Sequence, residues 1–230
     1  MRKIICTTVA VLACIFSFAQ NVERIAVKGS DLPLFYEKEE FKYPKFISTR
    51  VYLKNGDTAV GKFNFDFFDQ SMHFINQKGD TVTLANEKDV KYITVGTDSF
   101  FYENGYYEWM ATSAKARLAV KHTFKLAERQ NLGAYGLSSP TMNVQTIGKI
   151  FSGGKSVDLP PNEELVFTRE TTYYISLLKG PKNNFVVANK NNISDLFPKK
   201  DVEDFIKENK LNLNKEEDLI DLFIYISKPN

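Results

Sequence analysis

The chain contains two histidines, His73 and His122, and no other imidazole. Acid–base or metal chemistry near neutral pH would call on one of them beside a carboxylate. Serine-type hydrolysis asks more, a hydroxyl on one ring nitrogen and a carboxylate on the other. His122 falls on the apolar side of an alternating segment, where a half-buried histidine satisfied by a hydroxyl or carbonyl is the ordinary outcome. His73 follows Met72 and precedes Phe74, and alternation puts it opposite the phenylalanine. Spacing identifies no partner for either ring, so no catalytic residue and no metal ligand is assigned. A hydrolase using His122 or His73 stands as the alternative to the main reading.

The carboxylates that could pair for glycoside hydrolysis, Asp57, Asp66, Asp69 and Asp80, fall at or near turns. There an aspartate has a local task, accepting hydrogen bonds from the turn backbone. Gly153-Gly154-Lys155-Ser156 ends like a phosphate-binding loop. The full pattern needs glycine where Lys149 stands, and Val157-Asp158-Leu159-Pro160-Pro161 cannot open the helix that must follow. No cofactor is expected. The strongest charge asymmetry lies between residues 111 and 155, where Lys115, Arg117, Lys121, Lys125, Arg129, Lys149 and Lys155 face one acid, Glu128. Arg117, Lys121 and Lys125 share the outer side of one strand and form the candidate binding face, suited to an anionic ligand or an envelope component. The same lysines would also keep an exposed strand soluble.

The start of the chain decides which chemistries are open. Arg2 and Lys3 precede an apolar run from Ile4 to Ala19, and Ser17 and Ala19 supply the small residues a signal peptidase accepts. Cleavage is expected between Ala19 and Gln20. The alternative, lipidation at Cys14, is opposed by Leu12 two residues before it and by the apolar Ile15-Phe16 that would begin the mature chain. Processing at Gln20 removes both cysteines, and with them disulfides, thiol nucleophiles and Cys-type zinc sites. It also removes two of the 30 basic residues, which leaves them level with the 28 acids. A neutral mature chain offers no electrostatic case for nucleic acid, and no membrane span is expected in it. Export places the protein in the periplasm or outside the cell.

The elements that must position these residues read as mostly antiparallel β. With 43% hydrophobic and 25% charged residues, the 230-residue chain has the balance of a globular protein. Residues 20–46 read as an N-terminal arm. From 47 to 97, short alternating runs separated by Asn55-Gly56 and Lys78-Gly79-Asp80 predict five strands on tight hairpins, the first turn of type I′. Such a ribbon hides one face by curling, which predicts a small barrel-like unit. Residues 98–190 predict a second antiparallel unit, with another type I′ signal at Asn104-Gly105, a half-buried strand over 115–126 and a long loop over 128–164. The C-terminal 191–230 predicts a two-helix hairpin. Val202, Phe205 and Ile206 form one stripe, and Leu219, Leu222, Phe223 and Ile226 stand at i, i+3, i+4 and i+7 after an Asn214/Glu217 capping box. The fold class is therefore α+β.

Two resemblances follow from these residues. The order of Leu53-x-Asn55-Gly56, a glycine, an aromatic strand, a Gly-Asp turn and an apolar strand resembles an Sm-type or SH3-like small barrel over 47–95. The layout of Arg50 to Asp57, Tyr173-Tyr174-Ile175, Ala188-Asn189-Lys190 through Leu196-Phe197-Pro198, and Glu217 to Ile220 resembles a group of uncharacterised exported proteins of Bacteroidota. That resemblance implies export and fold style, and carries no activity or site residues. The reading is an exported, non-enzymatic binding or structural module of the cell envelope.

Overall fold

The structure, a computed structural model, describes residues 21–132, 138–140, 163–179 and 184–228. The expected signal peptide with Cys14, Ala19 and Gln20, the Gly153–Ser156 motif and most of the 128–164 segment lie outside the described residues. Strand β1 (Asn21–Lys28) leads through a 3-10 turn into α1 (Leu32–Glu39). Then come β2 (Ile47–Leu53), β3 (Thr58–Asp66), β4 (Ser71–Ile75), β5 (Thr81–Thr83), β6 (Val90–Val95), β7 (Asp98–Tyr102), β8 (Tyr106–Thr112), β9 (Ala116–Leu132) and β10 (Ser138–Pro140). The chain ends with β11 (Glu163–Leu177), β12 (Val186–Val187), α2 (Lys190–Leu196), α3 (Lys199–Asn209) and α4 (Glu216–Ser227). None of the described helices is long and apolar enough to cross a membrane.

The fold is mostly antiparallel β. The strands lie in one sheet in the order β1-β11-β9-β8-β7-β6-β2-β3-β4-β5, with β10 on β9 and β12 on β11. The segments expected as two units, 47–97 and 98–190, are thus joined across the β6–β7 ladder. The expected small barrel does not close. Its strands run β6-β2-β3-β4-β5, and β6 continues outwards to β7 instead of back to β5.

The sheet nevertheless curls hard. Flat, β3 and β7 would stand about 14 Å apart across three strand spacings. Phe65 of β3 instead stacks on Phe100 of β7 at 5.4 Å between ring centres. The concave side holds a core of Val51, Phe63, Phe65, Met72, Val90, Ile93, Val95, Phe100 and Tyr106. Twist and the need to bury these alternating residues supply the curvature. The β3–β4 turn then reaches β9, where Gln70 Nε2 donates to the carbonyls of Phe67 at 2.7 Å and His122 at 2.8 Å. The Gln70 side chain and a backbone hydrogen bond from Phe124 N–H to Phe67 O at 3.5 Å, and no strand ladder, make the return contact.

Turn chemistry is uneven. Asn104 and Gly105 both hold positive φ, +53° and +119°, as an Asn-Gly signal expects. At Asn55-Gly56 only the glycine does, at +97°, so that hairpin is not type I′. Asn55 Oδ1 instead accepts from the Asp57 N–H at 3.0 Å.

The C-terminal helices cap the far end of β9 and β11. Ala116, Leu118 and Ile175 meet Ile193, Val202, Leu219, Leu222, Phe223 and Ile226 in one buried cluster, and Phe205 stacks on Tyr225 at 4.0 Å to pair α3 with α4. A further helix, α2, precedes the pair and is capped by Asn189 Oδ1, which accepts from the Asn192 N–H at 2.9 Å. The Asn214 capping box does not form. The N-cap of α4 is Lys215, and Asp218 Oδ2 accepts from the Asn212 N–H at 2.7 Å.

The N-terminal arm packs as structure of its own. β1 pairs along β11 from Asn21↔Thr171 to Lys28↔Glu164. After α1 the chain bends past the end of β3, bridging it at Phe41↔Asp66, with Lys42 N–H donating to Phe65 O at 2.9 Å and Phe67 N–H donating to Glu40 O at 2.8 Å.

Candidate functional site

Strand β9 carries the expected binding face, and its register explains what that face becomes. Ala119 lies opposite Trp109 of β8 on one side and Tyr174 of β11 on the other. Its methyl group leaves room for the neighbouring rings to close over it. Phe101, Tyr107 and fully buried Ala119 form a second core on the convex side, joined by Tyr92, Trp109, Tyr174 and Phe185. Phe101 and Tyr107 stack almost parallel at 5.4 Å, and Tyr107 stacks on Phe185 at 4.8 Å. The strand expected to be half-buried is therefore covered on both faces along this stretch. Large rings reaching from β7, β8 and β11 were invisible to its own alternation.

Two of the three predicted cations stand within this aromatic patch. Lys121 Nζ sits 3.7 Å above the Tyr107 ring, and burial lowers its pKa. The Arg117 guanidinium lies 4.8 Å from the Phe185 ring, with Nε donating to Ser176 Oγ at 3.2 Å. Desolvated cation–π contacts of this kind are worth about 0.5–2 kcal/mol each. Lys125 lies as far beyond Lys121 as Lys121 lies beyond Arg117, about 13 Å along the strand, and pairs with Glu170 at 2.5 Å. By strand alternation all three lie on one side of β9, and the Lys125 charge still acts on Tyr174 of the patch.

Beside the patch lies an open cleft of about 730 Å³ whose walls include Tyr92, Phe101, Trp109, Lys54, Lys91 and Arg117. That volume suits a small-molecule or oligomer subsite. Lys54 and Lys91 are exposed and enter no ion pair among the described residues. One acid, Glu103, also lines the cleft. The arrangement offers aromatic ring surface and a surplus of positive charge, which is binding chemistry. Lys54, Lys91 and Trp109 were absent from the candidate residues of the sequence reading because two separate strands, β6 and β8, and the turn after β2 bring them together.

The two histidines have partners, in arrangements that differ from a hydrolase. His122 Nδ1 lies 3.1 Å from Thr171 Oγ1, its cross-strand neighbour, and Nε2 lies 3.9 Å from Glu108 Oε2. Glu108 is already taken by Lys42, which also pairs with Asp98 at 2.9 Å. Burial first, then the charges of Lys42 and Arg169, push the His122 pKa down to about 4. A base that weak is poorly matched to abstracting a hydroxyl proton at neutral pH. His73 Nε2 meets Asp69 Oδ2 at 3.0 Å and Thr83 Oγ1 at 3.3 Å. Carboxylate and hydroxyl thus share one nitrogen, while Nδ1 is buried without a hydrogen-bond partner among the described residues. A relay needs them on opposite nitrogens.

Of the four turn aspartates, Asp66 and Asp69 accept from the turn backbone as expected. At Asp57 and Asp80 it is Asn55 and Asn76 whose Oδ1 atoms accept the turn N–H groups, and the aspartates accept from those asparagine side chains. Asp66 Oδ1 accepts from the Phe68 N–H at 2.7 Å and the Asp69 N–H at 3.1 Å. Asp69 Oδ1 accepts from the Ser71 N–H at 3.0 Å and the Ser71 hydroxyl at 2.5 Å. Burial raises the Asp66 pKa to about 6, and the neighbouring Asp69 charge adds to the rise. Hydrogen bonds from His73 and Ser71 outweigh burial at Asp69 and lower its pKa. The spacing Asp66-x-x-Asp69-x-x-x-His73 across a tight turn was the legible signal for this grouping. No family model, no curated protein and no solved structure matches the chain.

Proposed function

We propose that this chain is an exported, non-enzymatic binding module of the cell envelope, similar in layout to uncharacterised exported proteins of Bacteroidota, and that the convex-side cleft is its contact surface for an anionic ligand. The observation that carries the reading is the grouping of Lys54, Lys91 and Arg117 around Tyr92, Phe101 and Trp109 in one concavity. Rings supply flat apolar contact, cations supply charge complementarity, and the cleft contains no histidine that could turn over a substrate.

Trp109 is the only tryptophan in the chain, so its fluorescence reports on the cleft directly. Heparin, used as a soluble polyanion, should change that emission, and neutral dextran should not. Salt should weaken the heparin response, and Lys91→Gln with Arg117→Gln should weaken it about tenfold, the scale of one to two lost charge contacts. An equal response to dextran, or an unchanged affinity in the double variant, overturns the reading. The denatured mass of protein purified from its native envelope fraction separates a chain beginning at Gln20 from one lipidated at Cys14.

A further inference from the structure

We propose that Asp66, Asp69 and His73, on the β3–β4 hairpin and outside the cleft lining, form a binding site for a divalent transition-metal ion of the zinc type. One ligand atom from each residue converges, and the three lie within 4.8 Å of one another. The hairpin sets this up. Asp66 ends β3, Asp69 lies in the turn, and His73 sits on β4 opposite Asn64. Because both Oδ1 atoms accept from turn N–H groups, both carboxyl groups are oriented with Oδ2 left for the ring. Those oxygens stand 3.0 Å (Asp69) and 3.7 Å (Asp66) from His73 Nε2.

Asp66 Oδ2 gives the second, independent pointer. The side chain is only 6% exposed, yet this oxygen accepts no hydrogen bond among the described residues. Its nearest donor, His73 Nε2 at 3.7 Å, is beyond hydrogen-bond range. A cation between this oxygen and the ring would supply the electrostatic partner that the hairpin leaves out. Donor atoms around zinc stand about 2.0–2.2 Å from the ion. Neighbouring donors are then about 3–3.6 Å apart, so the Asp69–His73 pair is already spaced for it and Asp66 needs a small approach. The ring is steadied for the task by Phe41, edge-on at 5.6 Å. One imidazole with two carboxylates is a donor set that zinc takes, and a water would complete the tetrahedron. Binding replaces the proton shared between ring and carboxylate, so no redox partner is needed.

The test uses the processed chain. Zinc should bind at one site per chain by calorimetry, and in ¹⁵N-histidine NMR the His73 Nε2 resonance should shift on zinc addition while His122 stays in place. Asp69→Asn and His73→Gln should each weaken binding tenfold or more. Asp66 is left unaltered because its Oδ1 also holds the turn. No zinc uptake at micromolar metal, a His73 resonance that does not move, or variants that bind as tightly as the parent each overturn the site. Because the NMR readout needs no substitution, a misfolded variant does not leave the question open.

Discussion

Replacing Asn64 should loosen the N-terminal segment from the sheet by a calculable amount. Asn64 is 1% exposed, and its amide imitates a strand partner for Tyr43. Nδ2 donates to Tyr43 O at 2.8 Å, and Oδ1 accepts from Tyr43 N–H at 3.1 Å and Phe65 N–H at 2.9 Å. Asn64→Leu keeps the volume and removes both contacts to Tyr43. Each orphaned group costs about 1–2 kcal/mol when partly buried, so the total is about 2–4 kcal/mol. Asn64→Asp keeps the acceptor, loses the donor, and buries a charge near Asp66, so it should cost at least as much. For a chain of this size a loss of about 3 kcal/mol lowers Tm by roughly 6–12 °C. Urea unfolding of the processed chain measures the loss, and hydrogen exchange at the Tyr43 amide shows where it falls. A loss under about 1 kcal/mol in Asn64→Leu, with Tyr43 exchange unchanged, would refute the clamp. The consequence reaches the candidate metal ligands, because the same segment lays Glu40 and Phe41 against Asp66 and His73.

Other expectations are quicker to state. His122 faces Thr171, Glu108, Lys42 and Arg169, and its folded pKa of about 4 lies below the ordinary value of 6.5. The unfolded chain therefore takes up a proton that the folded one refuses as pH falls from 6.5 towards 4, and stability drops over that window. Discounted for a ring about a third exposed, the drop is about 1–2 kcal/mol. In His122→Gln that part of the pH dependence should vanish, checked by urea unfolding at about pH 7 and about pH 4.5; parallel pH profiles for parent and variant would contradict the argument. Lys210 closes α3 in the left-handed region at φ +52°, so Lys210→Gly should stabilise by about 0.5–1 kcal/mol in the same assay, and a destabilised variant would show the strain is absent.

What the sequence determined by itself is periodic or local. The stripe of Leu219, Leu222, Phe223 and Ile226 needed only the helical repeat to be placed, and all four are buried. The Phe63–Phe65 alternation placed both rings in the core, and the glycine in Asn104-Gly105 marked its turn. Asp66 and Asp69 were legible as backbone acceptors for the same reason, since their partners lie two or three residues away.

Tertiary structure decided everything that depends on distant strands meeting. Alternation in 115–126 could name the side on which Arg117 and Lys121 lie, but not that Tyr107, Tyr174 and Phe185 would roof it over. Hairpin signals could count the strands of 47–97, but not that β6 would pair onward to β7 and leave the expected barrel open. Nothing local to Lys54, Lys91 and Trp109 announces a shared cleft. The physical reason is that burial and hydrogen bonding reward pairings across the whole sheet, and register, a tertiary property, selects which side chains then share a surface.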